Sequence, residues 1–323
     1  MTTRAIFRAI AIPGMNPPYD RASLKIFYPA SFSGSDEERN TGLVPADSSR
    51  APFPVVIMMP GINLGPEAYA WLAMDLAAAG IATVTYTLIA EEMTGYICQT
   101  PGLAIAELTP ARYGQQPSAT ALGPILADLQ AVNSAGVLAN ALDLDNVILA
   151  GHSAGGTVAL LNARADWFPG VKGALAYGAH TGAATALGYH DDAMFDIPGQ
   201  LPLLILGGNR DGCIANSSAR YVDASPSATE RVERSFDEAL ASTREDCYLG
   251  IVDGANHFSL AYPLDDSTGR PFIDMETTRP ENELRALLSQ IISCFVLTVT
   301  RQDSKAQETL RKVLLQGTDL IER

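Results

Sequence analysis

Short apolar, β-branched runs alternate along the chain with Ala- and Leu-rich stretches of helical period. That pattern belongs to a parallel sheet whose strands are joined by crossover helices. Six runs predict buried strands, at 53–59, 81–88, 146–150, 171–177, 201–206 and 247–252. Their nearly unbroken apolar character suits strands covered on both faces. Two earlier segments, at about 4–12 and 22–28, alternate more and predict an antiparallel edge. Helical stretches fall at about 66–79, 119–139, 154–165, 216–223 and 281–298. The predicted class is α/β, with a mostly parallel, doubly wound sheet. Gly-bounded breaks after Met59 and after Ala150 fall at carboxyl ends of strands, where open α/β sheets build their ligand sites.

Three stretches do not fit the repeat. Residues 31–52 are polar and read as an exposed loop; 89–118 and 181–200 are long connections. Connections of that length in a compact domain usually serve as lids or binding loops. The tail at 301–323 spaces Leu310, Val313, Leu314 and Leu320 at roughly helical period and predicts an appended amphipathic helix. The whole chain, 1–323, reads as one domain with a small cap.

Composition narrows the function classes. Of 323 residues 47% are hydrophobic and 18% charged, too apolar for a disordered chain. With 22 basic against 36 acidic residues the net charge is −14, which repels phosphate backbones. Only four residues are Lys (Lys25, Lys172, Lys305, Lys312) and no basic run exists, so nucleic acid is not an expected partner. Arg8 and Pro13 interrupt the N-terminal apolar stretch, so no signal segment is expected. No segment offers about 18 uninterrupted apolar residues, so no spanning helix is expected. The expected location is cytoplasmic, with contact to a membrane surface left open. Cys98, Cys213, Cys247 and Cys294 lack CxxC spacing and read as buried thiols rather than metal ligands. A bridge between Cys213 and Cys247 is left open.

The chemistry concentrates at 151–156, Gly-His-Ser-Ala-Gly-Gly, a G-x-S-x-G set between a strand and a helix. A nucleophile on so sharp a turn needs glycine neighbours, because flanking side chains would strike the backbone. Ser153 is the expected nucleophile. A serine hydroxyl needs a base held by a third group, and four histidines are available: His152, His180, His190 and His257. His257, in Gly-Ala-Asn-His just beyond the last predicted parallel strand, is the expected base. His152 reads as packing, His180 as lining the pocket and His190 as part of a solvated loop. Asp211 follows a strand and gives the chain order Ser, Asp, His. Asp253, Asp191 and Asp192 are the alternatives for the acid. Two backbone N–H groups must face the developing oxyanion: Ala154 after the nucleophile, and Ile62 in the loop Met59-Pro-Gly-Ile-Asn-Leu-Gly65. No phosphate-binding, dinucleotide or metal motif is present, and no cofactor or metal is expected.

Over about 50–300 the chain resembles the α/β-hydrolase superfamily. The segment 54–88 and the run 151–156 look like the dienelactone-hydrolase, polyester-hydrolase and chlorophyllase groups. The resemblance puts the nucleophile on Ser153, the acid on Asp211, the base on His257 and the oxyanion donors on Ile62 and Ala154. It departs from each group. Dienelactone hydrolases use a Cys nucleophile. Polyester hydrolases carry an aromatic where Ile62 stands and a Trp near the stretch from Tyr177 to His180. Chlorophyllases have His-Gly where Pro60-Gly61 stands and a basic residue at the position of Ala154. They also have a Leu-Asp-Asp-x-Thr stretch close after the His. Here Leu264-Asp-Asp-Ser-Thr-Gly269 follows His257 at a longer spacing.

The expected activity is hydrolysis of an apolar carboxylic ester through an acyl-serine. The most specific expectation is the phytyl ester of chlorophyll; a general carboxylesterase or lipase is the alternative, and a non-catalytic binder of an apolar ligand is a third. Leu64, Tyr69, Tyr177 and His180 are expected to touch the substrate. Met93, Tyr96, Leu103, Ile105 and Leu108 of one long connection, and Leu187, Tyr189, Met194, Phe195 and Ile197 of the other, are expected to widen an apolar pocket.

Overall fold

A computed structural model of the chain describes residues 2–93, 95–217, 226–242 and 244–322. The described residues form a ten-stranded sheet. Six strands run parallel at its centre, in the order β4 (Ala82–Met93), β3 (Phe53–Met59), β6 (Leu142–His152), β7 (Val171–Tyr177), β8 (Leu203–Gly208) and β9 (Cys247–Val252). The expected antiparallel edge is present. Here β1 (Thr2–Ala11) pairs β2 (Arg21–Ala30), and β2 pairs β4. Two further strands were not foreseen. β5 (Tyr96–Thr100) turns back on β4, and β10 (Thr318–Glu322) closes the opposite edge against β9.

Alternate residues of the central strands feed two cores. Val55, Ile57 and Leu149 face one, with α3 (Leu122–Ser134), α4 (Ala154–Leu161) and α6 (Glu230–Asp237); Val56, Met58 and Ile148 face the other, with α2 (Ala70–Ala78), α7 (Glu281–Arg301) and α8 (Ser304–Gly317). Both faces are covered, which is why these strands read as unbroken apolar runs. Helix α7 is the one described helix long and apolar enough to cross a membrane by length and composition. Its stripe of Leu284, Leu288, Ile291, Ile292 and Phe295 is buried in the second core.

Of the helix expected at 216–223, residues 216 and 217 close α5 (Gly212–Ser217), and 218–223 lie outside the described residues. The polar stretch 31–52 contains a short helix, α1 (Asp36–Thr41), capped by the Ser35 side chain. The tail is helical only as far as Gly317, after which the chain extends into β10.

Of the ten residues expected to widen a pocket, those with described side chains pack into cores or stand exposed. Leu108, Phe195, Leu103, Leu187 and Tyr189 pack on one another and on Leu161 as a satellite core. Ile197 and Met194 join the core beneath the sheet. Tyr96 and Ile105 are exposed, and the Met93 side chain lies outside the described residues. Apolar area is buried best against other apolar area, and the two connections satisfy each other.

Candidate active site

Strand β6 ends at His152, and Ser153 sits on the turn into α4 with φ 55° and ψ −125°. A non-glycine residue held there is strained, and such strain persists only where surrounding structure enforces it. The neighbours enforce it by close approach. A side-chain carbon at Gly151 would lie 2.1 Å from the Gly155 carbonyl oxygen, and one at Gly155 would lie 2.2 Å from that of Met59. The first turn of α4 is thereby pressed onto the end of β3.

The loop after β3 lies beside the elbow. A carbon at Gly61 would be 3.3 Å from Ser153 Cβ. Neither the Ile62 nor the Ala154 N–H has an acceptor among the described residues, so the loop and the elbow each keep one unspent donor. Asn63, at φ 59°, turns the loop, and its N–H donates to the Gln99 carbonyl of β5. The unforeseen strand β5 therefore braces the loop.

Two strands away, Asp211 follows β8, and the turn after β9 brings His257 back over it. His257 Nδ1 lies 2.8 Å from Asp211 Oδ2, with both groups buried. The other Asp211 oxygen accepts from the Ile214 N–H at 2.7 Å. Gly178, after β7, underlies the pair: a carbon there would stand 3.0 Å from His257 Nδ1 and 3.1 Å from Asp211 Oδ2. Burial lowers the proton affinity of His257, but the Asp211 charge and hydrogen bond, with Asp274 nearby, outweigh it and leave its pKa above the usual imidazole value. Ser153 Oγ makes no hydrogen bond among the described residues; such contacts often tighten only with substrate bound.

The alternatives for acid and base lie elsewhere. Asp253 is exposed and accepts from Asn209 Nδ2 at 2.7 Å. Asp192 pairs with Arg231 and Arg234, and the exposed His190 bonds the Asp191 carbonyl. His180 accepts from the Gly182 N–H and lies 3.3 Å from Ser217 Oγ, bracing the start of the 181–200 connection. All four cysteines are free thiols, so Cys213 and Cys247 are not bridged. Burial, with Asp274 and Asp211 adding to it, pushes the Cys213 thiol up to about 12. Cys213, Asp211 and His257 offer ligand atoms within 4.8 Å of one another. That thiol holds its proton, and His257 and Asp211 spend theirs on each other, so the trio is a poor metal cage.

Two residues expected to meet substrate do not. Tyr69 is 1% exposed, and Tyr177 is fully buried with its hydroxyl donating to the Asn256 carbonyl at 2.6 Å. Tyr69 Oη accepts from the Gly61 N–H at 3.0 Å and lies 3.1 Å from His152 Nδ1. His152 Nε2 lies 2.9 Å from the His257 carbonyl oxygen. Burial and the neighbouring His257 hold His152 well below the ordinary imidazole pKa, so its ring is neutral. The ring then donates from Nε2 to His257, leaving Nδ1 to accept from Tyr69. His152, expected merely to pack, joins the oxyanion-side loop to the loop of the base. Leu64 does line a cavity of about 570 Å³ beside that loop, with Ile89, Ile97, Gln99, Leu264 and Thr268.

No family model and no curated protein matches the chain. Among solved structures it is similar to a ferulic acid esterase from Streptomyces cinnamoneus, with 15% sequence identity and a TM-score of 0.56. The match covers 94% of this chain and 90% of the other. The topology and this likeness together give the chain an α/β-hydrolase fold.

Proposed function

We propose that the protein hydrolyses carboxylic esters through an acyl-serine intermediate. The observation that carries this reading is the buried Asp211–His257 hydrogen bond, set beside a strained Ser153 elbow flanked by unused N–H donors. Asp211 accepts a hydrogen bond from Nδ1–H, which fixes the tautomer and leaves His257 Nε2 as the base. Ser153 Oγ attacks the ester carbonyl as its proton passes to Nε2. The Ile62 and Ala154 N–H groups receive the carbonyl oxygen as it becomes anionic. The imidazolium then protonates the departing alcohol, and a water deprotonated by the same nitrogen cleaves the acyl-serine.

The cavity beside the oxyanion-side loop is not lined by Ser153 or His257, so it would hold a part of the ester remote from the scissile bond. Its lining joins Ile89, Ile97, Leu64 and Leu264 to Asn63, Gln99 and Thr268. A narrower reading, cleavage of chlorophyll to chlorophyllide and phytol, draws on Leu264, Asp265 and Thr268 lining that cavity. It loses a long apolar channel, because Leu103, Leu108, Leu187, Tyr189 and Phe195 fill a satellite core. The test is turnover of p-nitrophenyl butyrate, methyl ferulate and detergent-dispersed chlorophyll. We expect the first two to be cleaved by the wild type and spared by Ser153→Ala. Chlorophyllide release at a comparable rate would restore the narrower reading, and turnover of none would end both.

A further inference from the structure

The segment that follows the His257 turn plays no part in the mechanism above, yet it straps across the acid and the base. Asp274 lies in it, just after a single helical turn at Pro271–Ile273. Asp274 Oδ1 accepts from the Gly212 N–H at 2.7 Å and from the Met275 N–H at 3.0 Å; Oδ2 accepts from the Phe258 N–H at 3.3 Å. Gly212 is the residue after Asp211, and Phe258 the residue after His257. One side chain thus holds the backbone immediately beyond both partners. The strap lies so close that a carbon at Gly212 would stand 2.4 Å from the Ile273 carbonyl oxygen. Asn256 Nδ2 donates to the Met275 carbonyl, and the Thr278 N–H donates to the Gly254 carbonyl, so the strap is fixed to the His257 turn on both sides.

We propose that Asp274 is a positioning residue, whose carboxylate holds the Asp211 and His257 loops at the separation their hydrogen bond requires. The proposal rests on the acyl-transfer reading of Ser153, Asp211 and His257. Charge supports it as well as geometry. The titratable groups around His257 are Asp211, Asp274, Arg270, His152, Cys213 and Tyr177. Asp211 and Asp274 both favour the imidazolium, whereas Arg270 and burial oppose it. Burial and the Asp211 charge push the Asp274 carboxyl up, against the N–H donors that favour its ionised form.

Asp274→Asn keeps the size and one acceptor oxygen but loses the charge, and it turns an NH₂ toward one of the N–H groups. With p-nitrophenyl butyrate, kcat should fall about 10- to 100-fold, the scale of a slight misplacement of reacting groups, with KM within about twofold. The acid limb of the kcat/KM profile should move to lower pH, because a charge favouring the imidazolium is gone. The second readout does not need turnover. His257 is titrated by NMR in Ser153→Ala, with and without Asp274→Asn, and its midpoint should move down in the double variant. An unmoved His257 titration overturns the proposal, whatever happens to melting temperature. If the wild type cleaves no ester, the hydrolase reading fails, while the NMR titration still decides the role of Asp274. Should Asp274→Asn not fold, Asp274→Glu replaces it. Its carboxylate, one methylene further out, should keep the wild-type acid limb and lower kcat; wild-type kcat there overturns the proposal.

Discussion

Replacing Tyr69 with Phe removes one oxygen and should disturb both stability and rate. The hydroxyl is buried, accepts from Gly61 N–H at 3.0 Å and meets His152 Nδ1 at 3.1 Å. Its removal leaves a buried N–H and a bare ring nitrogen without partners. Each unsatisfied buried group costs about 1–3 kcal/mol, so the two together should cost about 2–6 kcal/mol. The ring itself stays, which confines the effect to the hydrogen bonds. The Gly61 backbone loses its tether beside Ser153, and with it the aim of the Ile62 N–H, so kcat should drop about 10-fold, the rate cost of roughly 1.4 kcal/mol. Urea unfolding should show a lower midpoint at unchanged slope. Combined with His152→Phe, the loss should be smaller than the two single losses together, because both act on one chain of bonds. A change below about 0.5 kcal/mol with kcat intact, the scale of a bland surface substitution, would refute the linkage.

Gly178→Ala should damage the acid–base pair through one methyl group. At φ +58° a side chain costs about 1–2 kcal/mol, and its carbon would stand 3.0 Å from His257 Nδ1; a variant with wild-type kcat would contradict this geometry. The stability that the buried neutral His152 contributes should fall on mild acidification. His152 is held below its ordinary value of 6.5. Its contribution is therefore full above that pH and is lost as pH falls toward the folded-state pKa, where the unfolded chain binds the extra proton. His257 has the opposite sign: its raised pKa adds stability that is lost as pH rises. Removing His152 leaves the His257 trend unopposed, so the slope of unfolding free energy against pH between 5 and 7 should be lower in His152→Gln than in the wild type, and equal slopes would contradict the burial argument.

The strands 53–59, 171–177 and 247–252 were legible to the residue, because burial on both faces leaves an unbroken apolar run. The sequence places the strand after Tyr177 at 201–206, whereas it runs from Leu203 to Gly208. Its two terminal glycines carry no apolar signal, and a carbon at Gly208 would stand 2.2 Å from the Ala255 carbonyl oxygen. β10 was hidden because Leu320 continues a helical spacing from Leu310 and Leu314, and the strand is set only by pairing with β9. The elbow carries its own local signature, and so does a histidine beyond the last parallel strand. The bond partners of Tyr69, His152 and Asp274 lie far off in sequence, and no local spacing announces them. Nor can apolarity alone separate a pocket wall from a satellite core: Phe195 and Tyr189 read as the first and belong to the second.

The central claim is that Ser153 is an activated nucleophile, and a fluorophosphonate probe measures this directly, since only a serine served by a base reacts quickly. Peptide mass spectrometry of the labelled protein should find the adduct on Ser153 alone. Labelling should be abolished in Ser153→Ala and slowed by orders of magnitude in His257→Ala. Rapid labelling that persists in Ser153→Ala, or a wild type that stays unlabelled, would contradict the account.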